Sequence, residues 1–302
     1  SGTTKIFALP NNLLPASIVG GPDGNVWFTA ASISTGTSDI VGYVTPSGTI
    51  HQFSIPQSAG FPTGSMAVGP DKALWFTLAF NGQPESTSIG RITTAGSFQA
   101  YQTPEGLGSY GNIHVVCGLT AGADGNMWFS EQYTNKIGRI SPSGSVTEFN
   151  DPSANGFPTS ITAGPDGNLW FSDKDGIGKM TPSGGTTLYP FSTRALCLSG
   201  GPGGKVWFTD SNGNVDSITS GGQITTVATG VAGGCITTDS DGNLWFVGNG
   251  IERISSSGAA KSYPISGTTD MLQYLTAAPD GNIWFTTESQ DGSTGSIGYV
   301  AP

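Results

Sequence analysis

The 302-residue chain is predicted to be all-β, a seven-bladed β-propeller of four-stranded antiparallel blades, on three observations. A Trp-Phe pair recurs seven times, at Trp27, Trp75, Trp128, Trp170, Trp207, Trp245 and Trp284. Glycine-bearing turns flank the pairs, and the two ends of the chain carry complementary parts of one repeat. Successive tryptophans are 48, 53, 42, 37, 38 and 39 residues apart. A Trp-marked period of about 40 residues is the spacing of propeller blades, units that bury their faces only by stacking on neighbours. Residues 1–302 therefore read as a single domain.

Within a copy, four short strands follow in order. The first, at 16–20 in copy 1, is small and apolar, as the crowded wall of a central channel requires. Pro22-Asp23-Gly24-Asn25 is a turn: Gly supplies a positive φ, and Asp or Asn bonds the local backbone. Asp-Gly-Asn recurs at Asp124, Asp166, Asp241 and Asp280. The second strand holds the Trp-Phe pair, and the third is of the type Ile89-Gly90-Arg91-Ile92 or Ile137-Gly138-Arg139-Ile140. A second turn, Pro46-Ser47-Gly48 or Pro142-Ser143-Gly144, leads to an alternating outer strand such as Val146-Thr147-Glu148-Phe149.

The ends fix the count. Copy 7 stops at Ile297-Gly298-Tyr299-Val300, before any outer strand, whereas the chain opens with an outer-strand pattern, Thr4-Lys5-Ile6-Phe7-Ala8-Leu9-Pro10. The N-terminal strand is expected to complete the last blade and leave no open edge between first and last blades.

Composition bounds the function. Charged residues are only 11%, against about 25% in an ordinary soluble domain, and Gly, Ser, Thr and Asn cover the surface instead. Such a surface suits a place outside the cell or at the cell surface, and the absence of Asn-x-Ser/Thr sequons points to a bacterial source. The net charge of −10, with no cluster of Lys and Arg, argues against nucleic acid. No run of 18 apolar residues exists, so no membrane span is expected. The chain begins at Ser1 with no basic-then-apolar segment, so any signal peptide is expected to have been removed.

The unit Gly-Pro-Asp-Gly-Asn-Leu-Trp-Phe, followed by Ile-Gly-Arg-Ile and Pro-Ser-Gly, resembles the repeat of the virginiamycin B lyase, or streptogramin lyase, family across all seven copies. The resemblance implies a metal-assisted lyase that opens a cyclic depsipeptide antibiotic by elimination at an ester linkage. It implies a His base on an inner strand, a Glu after Trp-Phe-Thr fourteen positions later, and a second Glu just before the His to share Mg²⁺. A hard cation takes carboxylate oxygens, and proton abstraction takes an imidazole near neutral pKa. These repeat motifs are turn and core residues, so they speak for the fold more than for the activity.

Little of that machinery carries over residue by residue. The Glu position after the Trp-Phe pair holds Ala30, Leu78, Glu131, Asp173, Asp210, Gly248 and Thr287 around the ring. The base position holds Ala16, Gly64, Cys117, Thr159, Leu196, Gly234 and Gln273, none of them His. Val115 stands where the second carboxylate would be in the copy with Glu131. The chain has two histidines: His51 falls on an outer strand, and His114 lies three residues before the base position of copy 3. His114 and Glu131 are the catalytic candidates that survive, beside the plainer reading of His114 as a loop histidine bonded to backbone. Glu131, Asp173 and Asp210 form an acidic arc, a candidate for Mg²⁺ or Ca²⁺, beside the plainer reading of loop carboxylates exposed to water. Asp173-Lys174-Asp175-Gly176 and Asp239-Ser240-Asp241-Gly242 echo part of a calcium loop but lack its later ligands, and read as turns. No metal or other cofactor is otherwise expected.

All three cysteines fall on inner strands. Cys197 and Cys235 share a register in adjacent copies and are the pair placed to bridge; small buried hydrophobes are the default.

Irregularity around the ring locates function better than the repeat does. Insertions at 29–39, 78–87, 103–114 and 287–295 belong to contiguous blades 7, 1, 2 and 3 and open on one face, while blades 4 to 6 have minimal loops. Long loops on a rigid ring are where binding resides. A binding surface of Phe80, Gln83, Glu85, Tyr110, Asn112, His114, Glu288 and Gln290 is therefore expected, for a protein, a glycan or another copy of the chain. The sequence leads to a non-catalytic extracellular propeller, with a metal-assisted lyase as the alternative.

Overall fold

A computed structural model describes residues 2–10, 12–33, 38–79, 87–104, 118–132, 134–153, 156–231, 233–265 and 270–302. The chain forms seven four-stranded antiparallel sheets, each built from consecutive strands except the last. Blade 1 comprises Leu13–Gly20, Val26–Ser32, Ile40–Val44 and Ile50–Ser54. Blade 4 comprises Ile161–Ala163, Leu169–Asp173, Gly176–Met180 and Thr186–Pro190, and blade 5 Ala195–Gly201, Lys205–Asp210, Val215–Thr219 and Ile224–Ala228. Blade 7 takes Met271–Ala277, Ile283–Glu288 and Gly295–Val300 from the C-terminus and Thr4–Ala8 from the N-terminus. Thr4 pairs with Val300 and Ala8 with Ser296, so the expected closure of the ring is present.

The Trp-Phe pair builds the core because neighbouring strand residues point to opposite faces of a sheet. Trp27 of blade 1 packs into the cluster that holds Leu74, Phe76 and Ile92 of blade 2. Trp75 meets Met127, Phe129 and Ile140 of blade 3, and Trp128 meets Leu169, Phe171 and Met180 of blade 4. Trp245 meets Ile283, Phe285 and Val300 of blade 7. Each blade thus offers Trp to the next and Phe to the one before. In the third strands, Gly42, Gly90, Gly138, Gly178 and Gly298 lie opposite these Phe residues, and a Cβ at any of them would run into the ring.

The indole nitrogens explain the Asp of the Asp-Gly-Asn turn. Six Trp Nε1 atoms donate to a turn aspartate, for example Trp128 to Asp124 at 3.0 Å, Trp170 to Asp166 at 3.0 Å and Trp245 to Asp239 at 2.7 Å. In blade 5 the aspartate is replaced by Gly203, and Trp207 donates to the Pro202 carbonyl at 3.1 Å. From the sequence alone these aspartates are legible only as turn formers. Outer-strand aromatics stack on the same indoles, as Phe53 does on Trp27, Tyr189 on Trp170, and the N-terminal Phe7 on Trp284. Blade 5 again differs, with Ala228 at that register.

Hydroxyls join the innermost strands. Thr120 Oγ1 accepts from the Ala163 amide and Thr162 Oγ1 from the Gly200 amide, each in the following blade. Cys197 and Cys235 are buried in one apolar cluster, as small hydrophobes are expected to be. Among the described residues no helix is long and apolar enough to cross a membrane.

Candidate functional site

The loops between second and third strands and the connections between blades share one face of the ring, as the antiparallel order requires. Five large apolar side chains are exposed among the described residues. Ile33, Phe157, Val231 and Met271 lie on this loop face, and Val227 is one residue from the loop-face end of its strand. They are spread over blades 1, 3–4, 5–6 and 7, wider than the insertions alone.

The acidic arc stands at the loop-face ends of the second strands of blades 3, 4 and 5. The expectation of water-exposed carboxylates is corrected: Glu131 is 0% exposed, Asp173 2% and Asp210 2%. Each sits on the Phe-bearing face of its strand, two residues beyond Phe129, Phe171 and Phe208, and so faces the preceding blade.

The three carboxylates have different surroundings. Asp210 opens a four-residue loop and accepts from the amides of Asn212 (2.9 Å) and Asn214 (2.8 Å), from Asn214 Nδ2 (3.0 Å) and from Thr193 Oγ1 (2.9 Å). Burial acts to raise its pKa, but these donors outweigh it and hold the carboxyl below the usual range. Asp210 is a loop cap. Glu131 accepts from Thr134 Oγ1 at 2.9 Å.

Asp173 precedes a two-residue loop, too short to supply several donors. Its Oδ1 accepts from the Asp175 amide at 2.7 Å. Its Oδ2 faces a residue the sequence reading missed, Asp151, in the connection from blade 3 to blade 4. Asp151 is 7% exposed, and its Oδ1 accepts from the Ser153 amide at 2.8 Å. The Oδ2 atoms of Asp151 and Asp173 both lack a hydrogen-bond donor. Burial, the facing Asp173 and, at greater range, Asp175 raise the pKa of Asp151 to about 8, against the Ser153 amide. The signal in the sequence was Asp151-Pro152-Ser153 with Gly156, two small residues following an acid. The connection repeats that between blades 1 and 2, Ile55-Pro56 to Gly60-Phe61-Pro62-Thr63, and the one telling difference is the acid in place of Ile55.

The remaining predicted residues divide in two. Glu288 ends the second strand of blade 7, half-buried, and its Oε2 accepts from Gln273 Nε2 at 3.4 Å. Gln290 is exposed in the following turn, where Asp291 accepts from Ser289 Oγ, Ser293 Oγ and the Ser293 amide. These bonds hold Asp291 at about 2, well below the usual carboxylate range. Phe80, Gln83, Glu85, Tyr110, Asn112 and His114, with Val115 and Cys117, lie outside the described residues. His51 is exposed on the outer strand Ile50–Ser54, stacked on Tyr43 with centroids 4.6 Å apart. It is therefore remote from the inner-strand base position. Among the described residues no group of three or more His, Cys, Asp or Glu is placed to hold a metal ion.

The sequence model described as the Virginiamycin B lyase family matches residues 1–106, 82–229 and 176–300. Among solved structures, one described as a streptogramin B lyase is 24% identical, with 99% of this chain and 98% of that chain covered and a TM-score of 0.79. A catalytically inactive virginiamycin B lyase from Staphylococcus aureus with quinupristin is 24% identical, with 99% of each chain covered and a TM-score of 0.80. The extracellular domain of a putative hybrid two-component system from B. thetaiotaomicron is 17% identical, covering 96% of this chain and 40% of that one, with a TM-score of 0.64. At these identities the likeness shows the fold. No curated protein sequence matches this chain.

Proposed function

The chain belongs to the virginiamycin B lyase family, and from that premise we propose that it is a non-catalytic propeller that binds a partner through its loop face. The observation that carries this reading is the fate of the base. None of the seven inner-strand base positions holds His, and His51 is exposed on an outer strand, stacked on Tyr43. Without an imidazole at that position, proton abstraction next to the ester has no group of suitable pKa. Of the acids at the Glu position, Asp210 is consumed as a loop cap and Asp173 is turned to Asp151.

Binding through the loop face is supported by the exposed apolar side chains there and by the insertions of blades 7, 1, 2 and 3. The partner is a protein, a glycan or another copy of the chain, met outside the cell or at a bacterial cell surface; the weakly charged Ser/Thr/Gly surface suits that setting and close packing of copies. Mg²⁺ with quinupristin, the molecule named with the S. aureus relative, gives the direct test of activity. No ring opening by mass spectrometry is expected over hours at micromolar protein. Size measurement with and without Tyr110→Ala and Glu288→Ala tests the face: loss of self-association, or of a captured glycan or protein, is expected.

A second reading is favoured by the family itself: a lyase whose groups are His114 and Glu131, both in blade 3. Ring opening that vanishes in both His114→Ala and Glu131→Gln would establish it over the first.

A further inference from the structure

We propose that Asp151 and Asp173 together bind a hard divalent cation, calcium in preference to magnesium, at the seam between blades 3 and 4. The site is independent of the binding reading above. It shares the family's Glu position through Asp173 but differs in its second ligand, Asp151, which comes from the connection between blades and not from an inner strand.

The geometry is convergent. The two Oδ2 atoms approach the same point beside Gly156, where a Cβ would collide with both. Each belongs to a side chain more than nine-tenths buried, and neither has a donor. A third oxygen, Ser153 Oγ, is also more than nine-tenths buried without a partner, in the residue whose amide binds Asp151 Oδ1. Asp175 adds a further negative charge beside the pair. No ion pair among the described residues includes Asp151 or Asp173.

A single shared proton would satisfy one oxygen–oxygen contact and leave the hydroxyl and the excess charge as they are. A divalent cation takes several oxygens at once and neutralises two charges. The frame around the point is already fixed. The Lys174 amide donates to the Gly156 carbonyl at 2.6 Å, and Asn135 Oδ1 accepts from the amides of Gly156 (2.7 Å) and Phe157 (3.1 Å). Burial leaves little space for the waters that Mg²⁺ retains, which favours calcium, whose longer bonds and flexible geometry suit protein oxygens.

The test uses the full chain freed of metal with chelator. Thermal unfolding and isothermal titration calorimetry are followed with CaCl₂ and with MgCl₂. Calcium is expected to bind one per chain and to raise the unfolding midpoint by the order of 5 °C at saturation, magnesium by less. Asp173→Asn and Asp151→Asn, each checked for native circular dichroism, should abolish both heat and shift, while Glu252→Gln, on the third strand of blade 6, retains them. Should either Asn variant fail to fold, Ser153→Ala is the second variant, expected to weaken calcium binding several-fold. No calcium heat in the wild type, or heat unchanged in these variants, overturns the proposal and leaves the pair sharing a proton.

Discussion

Blades 4 and 5 are adjacent copies of one repeat, and each carries an aspartate at the same register, three residues past its tryptophan. Asp210 in blade 5 is met by four donors and Asp173 in blade 4 by one. Both are almost fully buried, so burial does not separate them. Loop length does. Four residues follow Asp210 before the next strand, enough for Asn212 and Asn214 to turn their amides back; two follow Asp173. The unsatisfied oxygen of blade 4 then finds Asp151, another acceptor. Away from this corner the contrast reverses. Blade 4 keeps the full aromatic scheme, with Trp170 held by Asp166 and stacked on Tyr189. In blade 5 Trp207 has neither an aspartate nor an outer aromatic and is only partly buried. A carboxylate, Asp216, also lies opposite Phe208, where five other blades have glycine. The same repeat can therefore absorb local defects, provided the defect in one layer is matched by satisfaction in another.

The largest expected effect breaks the satisfied corner. Asp210→Ala removes the acceptor for four donors in a buried place and should cost about 3 kcal/mol in urea unfolding. Next comes the aromatic layer. Asp71→Ala removes the acceptor of Trp75 Nε1 (3.0 Å) and the partner of Arg91 Nε (2.7 Å), and should cost about 2 kcal/mol. A matching change of Gly203 to Ala in blade 5 touches no such bond.

A gain is expected at the unsatisfied corner. Asp173→Asn supplies an N–H that can donate to Asp151 and removes a like charge, and should raise stability by about 1–2 kcal/mol at pH 7 without divalent ions. Its pH dependence is the sharper measurement. Asp151 has an ordinary carboxylate pKa in the unfolded chain and about 8 when folded, so the native state holds the proton more tightly. The wild-type contribution is complete below about pH 4 and is lost as pH rises toward 8, with a slope of at most about 1.4 kcal/mol per unit. In Asp173→Asn that slope should flatten. A wild-type stability that climbed from pH 5 to 8 in chelator would contradict the pairing.

The smallest change concerns Asp216, 0% exposed, with no well-formed hydrogen bond to either oxygen. Burial raises its pKa, the Thr226 hydroxyl pulls it partly back, and Asp210 raises it further. Asp216→Gly restores the pattern of Gly178 beneath Phe171 and should add about 1 kcal/mol at neutral pH, offset in part by backbone entropy. A loss of stability in differential scanning calorimetry would show that the carboxylate has a partner.

By itself the sequence determined the ring: seven Trp-Phe pairs, the glycine-bearing turns beside them, and an outer-strand pattern at the N-terminus that only blade 7 could use. Such features repeat, and repetition makes them legible, because each copy must solve the same packing problem against its neighbours. It also placed Glu131, Asp173 and Asp210 at one register. Only the tertiary structure decided what those acids do. Their burial depends on the preceding blade, their donors on the length of the following loop, and the pairing of Asp173 on Asp151, 22 positions earlier in a connection whose counterpart between blades 1 and 2 has Ile55 in place of the acid. A carboxylate's state is set by the atoms within a few ångströms of its oxygens, and in a ring most of those atoms come from another blade.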